Sequence, residues 1–330
     1  VRLRRSRLAG PGLTRRRCGR SFRYLDHDGR PVGEEHTDRI RTLAIPPAWR
    51  EVWICPWPNG HIQAVGIDDA GRKQYLYHEE WRRQRDEQKY DRVLELAPAL
   101  PDFRKAVAAD LGGRSRNRTT TLAVGLRMLD RGMFRTGGEA YLEQNGSHGV
   151  ATLLREHVTV SRGRVSFDYE AKGGVRRTVT VDDPLLAKAV TALKRARSGS
   201  DRLLVYRTGK QWHDVHAEDV NERFHELVGD RFTVKDLRTW NATVLAAAVL
   251  AGSRPSRRAV PQMYREVAEH LGNTPAVARK SYVDPRLVDL FERGVTIAPT
   301  LERLGSDDLA RDRVRESVER AVHDLLADAG

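Results

Sequence analysis

Cysteine is scarce. The 330 residues hold only Cys18 and Cys55, far apart and outside any CxxC or Cys/His ligand spacing, so neither a zinc site nor a disulfide framework organises the chain. No apolar run approaches the roughly 20 residues of a membrane span, and the opening VRLRRSRLAGPGLTRRRCGR lacks the apolar centre of a secretory signal. These gaps point to a cytoplasmic protein without membrane attachment. Also missing are the G-x-x-x-x-G-K-[ST] phosphate loop, a dinucleotide fingerprint opening a helix, and HExxH. Acidic pairs occur at Asp68-Asp69, Asp182-Asp183 and Asp307-Asp308, but at turns or in the tail, where solvated carboxylates are a simpler reading than two-metal ligands. Neither a nucleotide cofactor nor a metal ion is called for.

What is present in excess is positive charge. Lysine and arginine number 58 against 45 acidic residues, a net charge of +13, and arginine is spread along most of the chain. An extended polyanion suits such a surface, through phosphate contacts and counterion release; the plainer alternative is a merely basic surface. The length suffices for two domains, and 39% hydrophobic content is ordinary for a globular chain.

The pattern along the chain predicts an α+β organisation. Residues 1–20 read as a basic arm, either a mobile segment that touches DNA or a solvated tail. Residues 21–95 read as a small β-rich domain with Asp28-Gly29, Asn59-Gly60 and Ala70-Gly71 in turn positions and a Pro pair in IPPAW that excludes helix, followed by a charged, exposed helix from Glu79. Period-two alternation puts Tyr75 and Tyr77 on one face beside Lys73, either in a core or against a phosphate backbone. The proline segment PALPD reads as a linker into a larger, mostly helical domain over 96–298. Within it, three β-like runs between Gly149 and Asp183 form an insert, with Lys172-Gly173-Gly174 turning between the last two. Thr233 is placed to cap VKDLRTWNATVLAAAVLAG, and Tyr264, Val267, Ala268 and Leu271 share a helical face. The charged tail, 299–330, has Val314, Val318, Val322 and Leu325 at helical spacing, with no role evident.

The ordered segments IPPAW, GHIQAVGIDDAGRKQYLYH, FRTGGEAY, AKGG, VKDLRTWNAT and LGNTPAVARKSYVDP resemble those of a type IB DNA topoisomerase of the small bacterial and poxvirus kind, from about Phe22 to Arg293. The resemblance implies a tyrosine recombinase/topoisomerase IB-like fold that closes as a clamp on double-stranded DNA, as a monomer at the nucleoid. It also implies catalytic roles: Tyr282 as nucleophile, Arg135 and Arg238 as phosphate-holding arginines, and Lys172 as general acid. The family's usual histidine after a glycine is replaced here by Asn273, which donates a hydrogen bond but does not titrate near neutrality. Nearby His270 reads instead as a surface or capping histidine. Further DNA contacts implied are Tyr75, Tyr77, Lys73, Tyr141 and Lys235, while Gly138 stands where a basic residue is common.

Taken singly, these residues have plainer readings, since most arginines are surface, a turn lysine is solvated, and a tyrosine can anchor a helix end. The chemistry implied by the set is supercoil relaxation through a 3′-phosphotyrosyl intermediate, strand rotation and religation, without ATP or metal. Two alternatives remain at this stage. One is a site-specific tyrosine recombinase, although those typically carry H-x-x-R where this chain has Lys235 and Arg238 in K-x-L-R; the other is a non-catalytic architectural DNA-binding protein.

Overall fold

Alternating β-branched and aromatic residues between Asp and Gly turns build the N-terminal sheet in the computed structural model, which describes residues 2–19, 21–113, 117–139, 142, 146–254 and 256–329. The chain divides into two units, Val1–Lys89 and Tyr90–Gly330. In the first, strands β1 (Leu13–Cys18), β2 (Ser21–Leu25), β3 (Arg50–Ile54), β4 (Ile62–Ile67) and β5 (Lys73–Tyr77) form an antiparallel sheet in the order β2-β1-β3-β4-β5. Asp68 Oδ1 accepts from the amides of Ala70 and Arg72 at 3.0 and 2.9 Å, and Gly71 at φ +74° completes the turn from β4 to β5. Leu13, Ile54, Ala64 and Leu76 lie in register across four strands and pack with Ile40 of helix α1 (Glu34–Thr42).

Two expectations for this unit are corrected. Residues 1–20 are not simply an arm, because Leu13–Cys18 is the second strand of the sheet and Leu13 is buried. Arg15 from that strand donates to the carbonyls of Ile45, Pro46 and Trp49 at 3.1, 3.0 and 2.6 Å. It thereby satisfies the backbone oxygens that the non-helical IPPAW segment leaves unpaired. Helix α1, read as strand or turn from sequence, contributes one fully buried side chain, Ile40, so its pattern carries almost no apolar periodicity.

The second unit is mostly helical. Helix α2 (Glu79–Leu96) crosses the unit boundary and buries Tyr90, Val93 and Leu96. PALPD is not a linker: Ala97–Ala99 is a 3₁₀ turn running into α3 (Leu100–Leu111), with Pro101 in its first turn and Leu100 wholly buried. Asn117 caps α4 (Arg118–Gly132) by accepting from the Thr120 amide at 2.8 Å. Strands β6 (Val158–Ser161), β7 (Arg164–Ala171) and β8 (Val175–Asp182) form the expected insert as an antiparallel meander, followed by α5 (Pro184–Lys194). The hairpin β9 (Val205–Thr208) and β10 (Gln211–Asp214), whose second strand the sequence did not suggest, leads to α6 (Ala217–Val228).

Helix α7 (Val234–Ala251) is the buried axis of the unit, with Trp240, Leu237 and Ala246 at zero exposure. It starts as expected at a Thr233 capping box: the Thr233 hydroxyl accepts from the Asp236 amide, and Asp236 accepts from the Thr233 amide at 2.9 Å. Helices α8 (Ala259–Leu271), α9 (Pro275–Ser281), α10 (Arg286–Glu292) and α11 (Ala298–Leu304) follow. The charged tail is helical, α12 (Asp312–Ala327), and Val314, Val318 and Val322 on one face join the main core. Among the described residues no helix is long and apolar enough to cross a membrane.

Candidate active site

Four chain segments meet around the C-terminal end of α8. Leu271 is its last residue, and Gly272 follows at φ +60°, a left-handed conformation that favours glycine. A Cβ there would also lie 2.9 Å from Arg177 Cδ, so the residue is fixed twice over. The chain then passes through Asn273 to Thr274, whose hydroxyl caps α9 by accepting from the Val277 amide. Tyr282 is the C-cap of α9, half-buried, with its amide bonded to the Ala278 carbonyl at 3.0 Å. The Thr243 hydroxyl, from α7, donates to the Tyr282 carbonyl at 3.2 Å and accepts from the Asp284 amide at 3.3 Å. Main-chain bonds therefore hold Tyr282 from both sides and leave its hydroxyl out of the scaffolding.

Arg238 comes from α7 and is 3% exposed. Its Nη2 donates to the Leu271 carbonyl at 2.5 Å, and its Cζ lies 5.2 Å from the centre of the Tyr282 ring. Arg135 comes from the segment after α4 and donates to the neighbouring Gly272 carbonyl at 3.5 Å. Its own carbonyl accepts from the Val150 amide at 2.9 Å, where the backbones of Gly137 and Gly149 cross too closely to admit a side chain. Four expected residues, Tyr282, Arg238, Arg135 and Asn273, thus gather around the end of α8.

The electrostatics are those of a site built for an anion. Burial, then the adjacent Arg135, pushes the Arg238 guanidinium down to about 9, against a smaller opposing pull from Tyr282. Burial pushes the Tyr282 phenol up, but the positive charges of Arg238 and then Arg135, with Lys235 behind them, outweigh it and hold the phenol below its ordinary value. Nε and Nη1 of Arg238 and both amide atoms of Asn273 are buried and find no partner among the described residues. Buried polar groups are normally satisfied, so a cluster of unpaired donors beside a lowered phenol marks a place where a ligand supplies the acceptors.

Lys172 is exposed at the tip of the β7–β8 turn, between Ala171 and Gly173-Gly174 at φ +87° and +71°. Lys235 is exposed one turn before Arg238 on α7. In the first unit, Tyr75 and Tyr77 are 38% and 37% exposed and stack with ring centres 6.0 Å apart, so the core alternative for them is excluded. Lys73 Nζ lies 6.0 Å from the Tyr75 ring. A Cβ on Gly138 would meet open space, and Tyr141 lies outside the described residues. The ring of His270 is exposed and bonds the Glu266 carbonyl one turn back, as a surface histidine does.

Sequence reasoning missed Arg177, on β8 and 4% exposed. Its Nη2 donates to the carbonyls of Gly132 and His270 at 2.7 Å each, and its Nη1 to the Tyr169 hydroxyl at 3.3 Å. It ties the end of α4, which leads to Arg135, to the end of α8, which leads to Asn273. A signal was available: Arg177, Val179 and Val181 share one parity on β8, the buried face, whereas Arg176 points outward to Asp168.

Two family profiles match the chain. Eukaryotic DNA topoisomerase I, catalytic core, covers residues 78–292, and bacterial DNA topoisomerase IB, N-terminal domain, covers 21–68. The chain is 30% identical over 296 residues to DNA topoisomerase 1B of Acanthamoeba polyphaga mimivirus, spanning 85% of this chain and 88% of that one. It is 24% identical over 239 residues to DNA topoisomerase 1B of Vaccinia virus (strain Copenhagen), spanning 69% and 72%. To DNA topoisomerase 1 of Rabbit fibroma virus (strain Kasza) it is 21% identical over 257 residues, spanning 75% and 77%.

Proposed function

This chain belongs to the type IB DNA topoisomerase family, and on that premise we propose that Tyr282 attacks a phosphodiester in one strand of duplex DNA. The Tyr282 oxygen forms a bond to phosphorus while the bond to the 5′ oxygen breaks, leaving a 3′-phosphotyrosyl link and a free 5′-hydroxyl. Arg135, Arg238 and Asn273 hold the non-bridging oxygens, where the transition state concentrates charge. Lys172, carried on its glycine turn, protonates the leaving oxygen. One phosphodiester replaces another, so the bond energy is kept and the 5′-hydroxyl reseals the strand by the reverse step, with neither ATP nor a metal ion consumed. Torsional strain turns the nicked strand in between, which relaxes supercoils of either sign.

The observation that supports this reading is the cluster of unpaired buried donors on Arg238 and Asn273 beside a phenol whose ionisation Arg238 and Arg135 favour. The test uses supercoiled plasmid in EDTA without nucleotide, followed by denaturation. Relaxed topoisomers and protein attached to a 3′ end are expected. Plasmid that stays supercoiled while a mobility shift demonstrates binding overturns it. In cells the enzyme works as a monomer that clamps the duplex, in the cytoplasm with the nucleoid.

Asn273 sets the pH dependence. A histidine here loses its second donor proton as pH rises through about 6.5, whereas an amide donates at every pH. Single-turnover cleavage is therefore expected to show no inflection near that value, and one that disappears in Asn273→Ala would assign a titrating partner to this position.

The exposed Lys73, Tyr75 and Tyr77 are proposed as backbone contacts. Lys73→Ala is expected to make the slope of log affinity against log salt shallower by about 0.9, the counterion share of one phosphate. An unchanged slope removes Lys73 from the interface.

A further inference from the structure

The match to the topoisomerase catalytic core ends at residue 292, yet a side chain from α12, beyond that limit, reaches the helices that carry or lead to the two arginines, α7 and α4. Arg315, 7% exposed, donates from Nη2 to Asp130 Oδ1 at 2.7 Å and to Asn241 Oδ1 at 2.9 Å. Asp130 lies in the last turn of α4, five residues before Arg135; Asn241 lies on α7, one turn after Arg238. Asn241 Nδ2 closes the triangle by donating to the Asp130 carbonyl at 2.9 Å. Asp130 and Asn241 are thus each a short, stiff step from one of the two arginines.

The step from Asp130 to Arg135 is rigid because Phe134, wholly buried, packs edge-on against Phe167 at 4.8 Å. A Cβ on Gly132 would fall 2.1 Å from the Phe134 ring. The step from Asn241 to Arg238 is one helical turn. Arg104 and Arg315 together balance two buried carboxylates: Arg104 binds Asp130 at 2.9 Å and Glu319 at 2.6 Å, and Arg315 Nε donates to Glu319 Oε1 at 3.0 Å. Charge balance alone asks for no contact with a neutral amide, and the bond to Asn241 is what Arg315 adds beyond it.

We propose that Arg315 and Asn241 are positioning residues that fix Arg135 and Arg238 relative to one another, making the C-terminal helix part of the catalytic framework. The proposal rests on the reading of those two arginines as the phosphate-holding pair. Displacing a reacting group by about 1 Å costs on the order of a hundredfold in rate.

The test is single-turnover cleavage of a duplex at saturating full-length protein, with DNA affinity and thermal unfolding measured beside it. Arg315→Met and Asn241→Ala are each expected to slow cleavage by about ten- to a hundredfold with DNA affinity unchanged and the protein folded at the assay temperature. Combined, they should be no worse than Asn241→Ala alone, because that variant already loses both the Arg315 contact and the direct bond to the Asp130 carbonyl. In an Arg238→Ala background Arg315→Met should lose most of its effect. Wild-type cleavage rates in both single variants overturn the proposal, as does an undiminished effect in the Arg238→Ala background. Should Arg315→Met fail to fold, Asn241→Ala with and without Arg238→Ala decides. Tyr282→Phe runs alongside: an adduct that persists there defeats the catalytic reading itself, whereas its loss leaves that reading intact whatever the Arg315 variant does.

Discussion

Tyr282→Phe is expected to abolish both relaxation and the covalent adduct while leaving noncovalent DNA binding and the folding transition essentially unchanged. The separation follows from how the residue is held. Its backbone is fixed by the Ala278 carbonyl and by the Thr243 hydroxyl, not by the phenol oxygen. Its ring packs near Arg238 at 5.2 Å, a contact that phenylalanine keeps. The substitution therefore deletes one oxygen beside Arg238 and leaves the backbone anchors and the ring in place. Binding depends on many phosphate contacts across a chain with net charge +13, so losing an uncharged hydroxyl hardly changes it. A denaturing gel on end-labelled duplex, run with a mobility shift on the same samples, checks both halves. A residual adduct would mean that another nucleophile does the chemistry. Loss of binding in parallel with loss of relaxation would mean that the hydroxyl has a structural role that the geometry does not suggest.

The elements that present these residues were legible in the sequence where local chemistry and tertiary burial agree. Helix α7 begins at its Thr233 box and runs through alanine and leucine, and α8 carries Tyr264, Val267, Ala268 and Leu271 on one buried face. The β7–β8 hairpin follows from alternation ending at two glycines. What escaped is what local pattern does not encode. Arg15, Arg177 and Arg315 look like surface charge, yet Arg15 pairs with carbonyls 30 to 34 residues away and Arg315 with Asp130, 185 residues away. Burial of a charge depends on a partner that proximity in sequence does not supply. Strand β1 was obscured for the same reason, since LTRRRC reads as solvated charge until its neighbours β2 and β3 are in place. Tyr282, Arg135, Lys172, Arg238 and Asn273 were named through family resemblance. The bare residues offered only an excess of positive charge suited to a polyanion, and the four-element meeting at Leu271 and Gly272 is a tertiary fact.

Arg238→Ala is expected to slow single-turnover cleavage by about a hundred- to a thousandfold, the range for removing one preorganised donor to a transition-state oxyanion. Arg238→Lys should recover little, because a single ammonium cannot serve both the Leu271 carbonyl and a phosphate, as the planar fork does. The effect on stability is of another kind. Burial and Arg135 depress the Arg238 pKa to about 9, below the unfolded arginine value, so below pH 9 the free folded protein carries an unfavourable buried cation, and that penalty eases as pH rises through 9. Alanine removes this penalty but leaves the Leu271 carbonyl without its donor, which costs roughly 1–3 kcal/mol, so the two act on stability in opposite directions. A bound phosphate relieves the penalty in the wild type by placing an anion against the cation. Duplex DNA should therefore raise the unfolding temperature of the wild type at neutral pH by more than it raises that of Arg238→Ala. Equal shifts in the two proteins would show that Arg238 does not meet the phosphate, whatever the cleavage rates were.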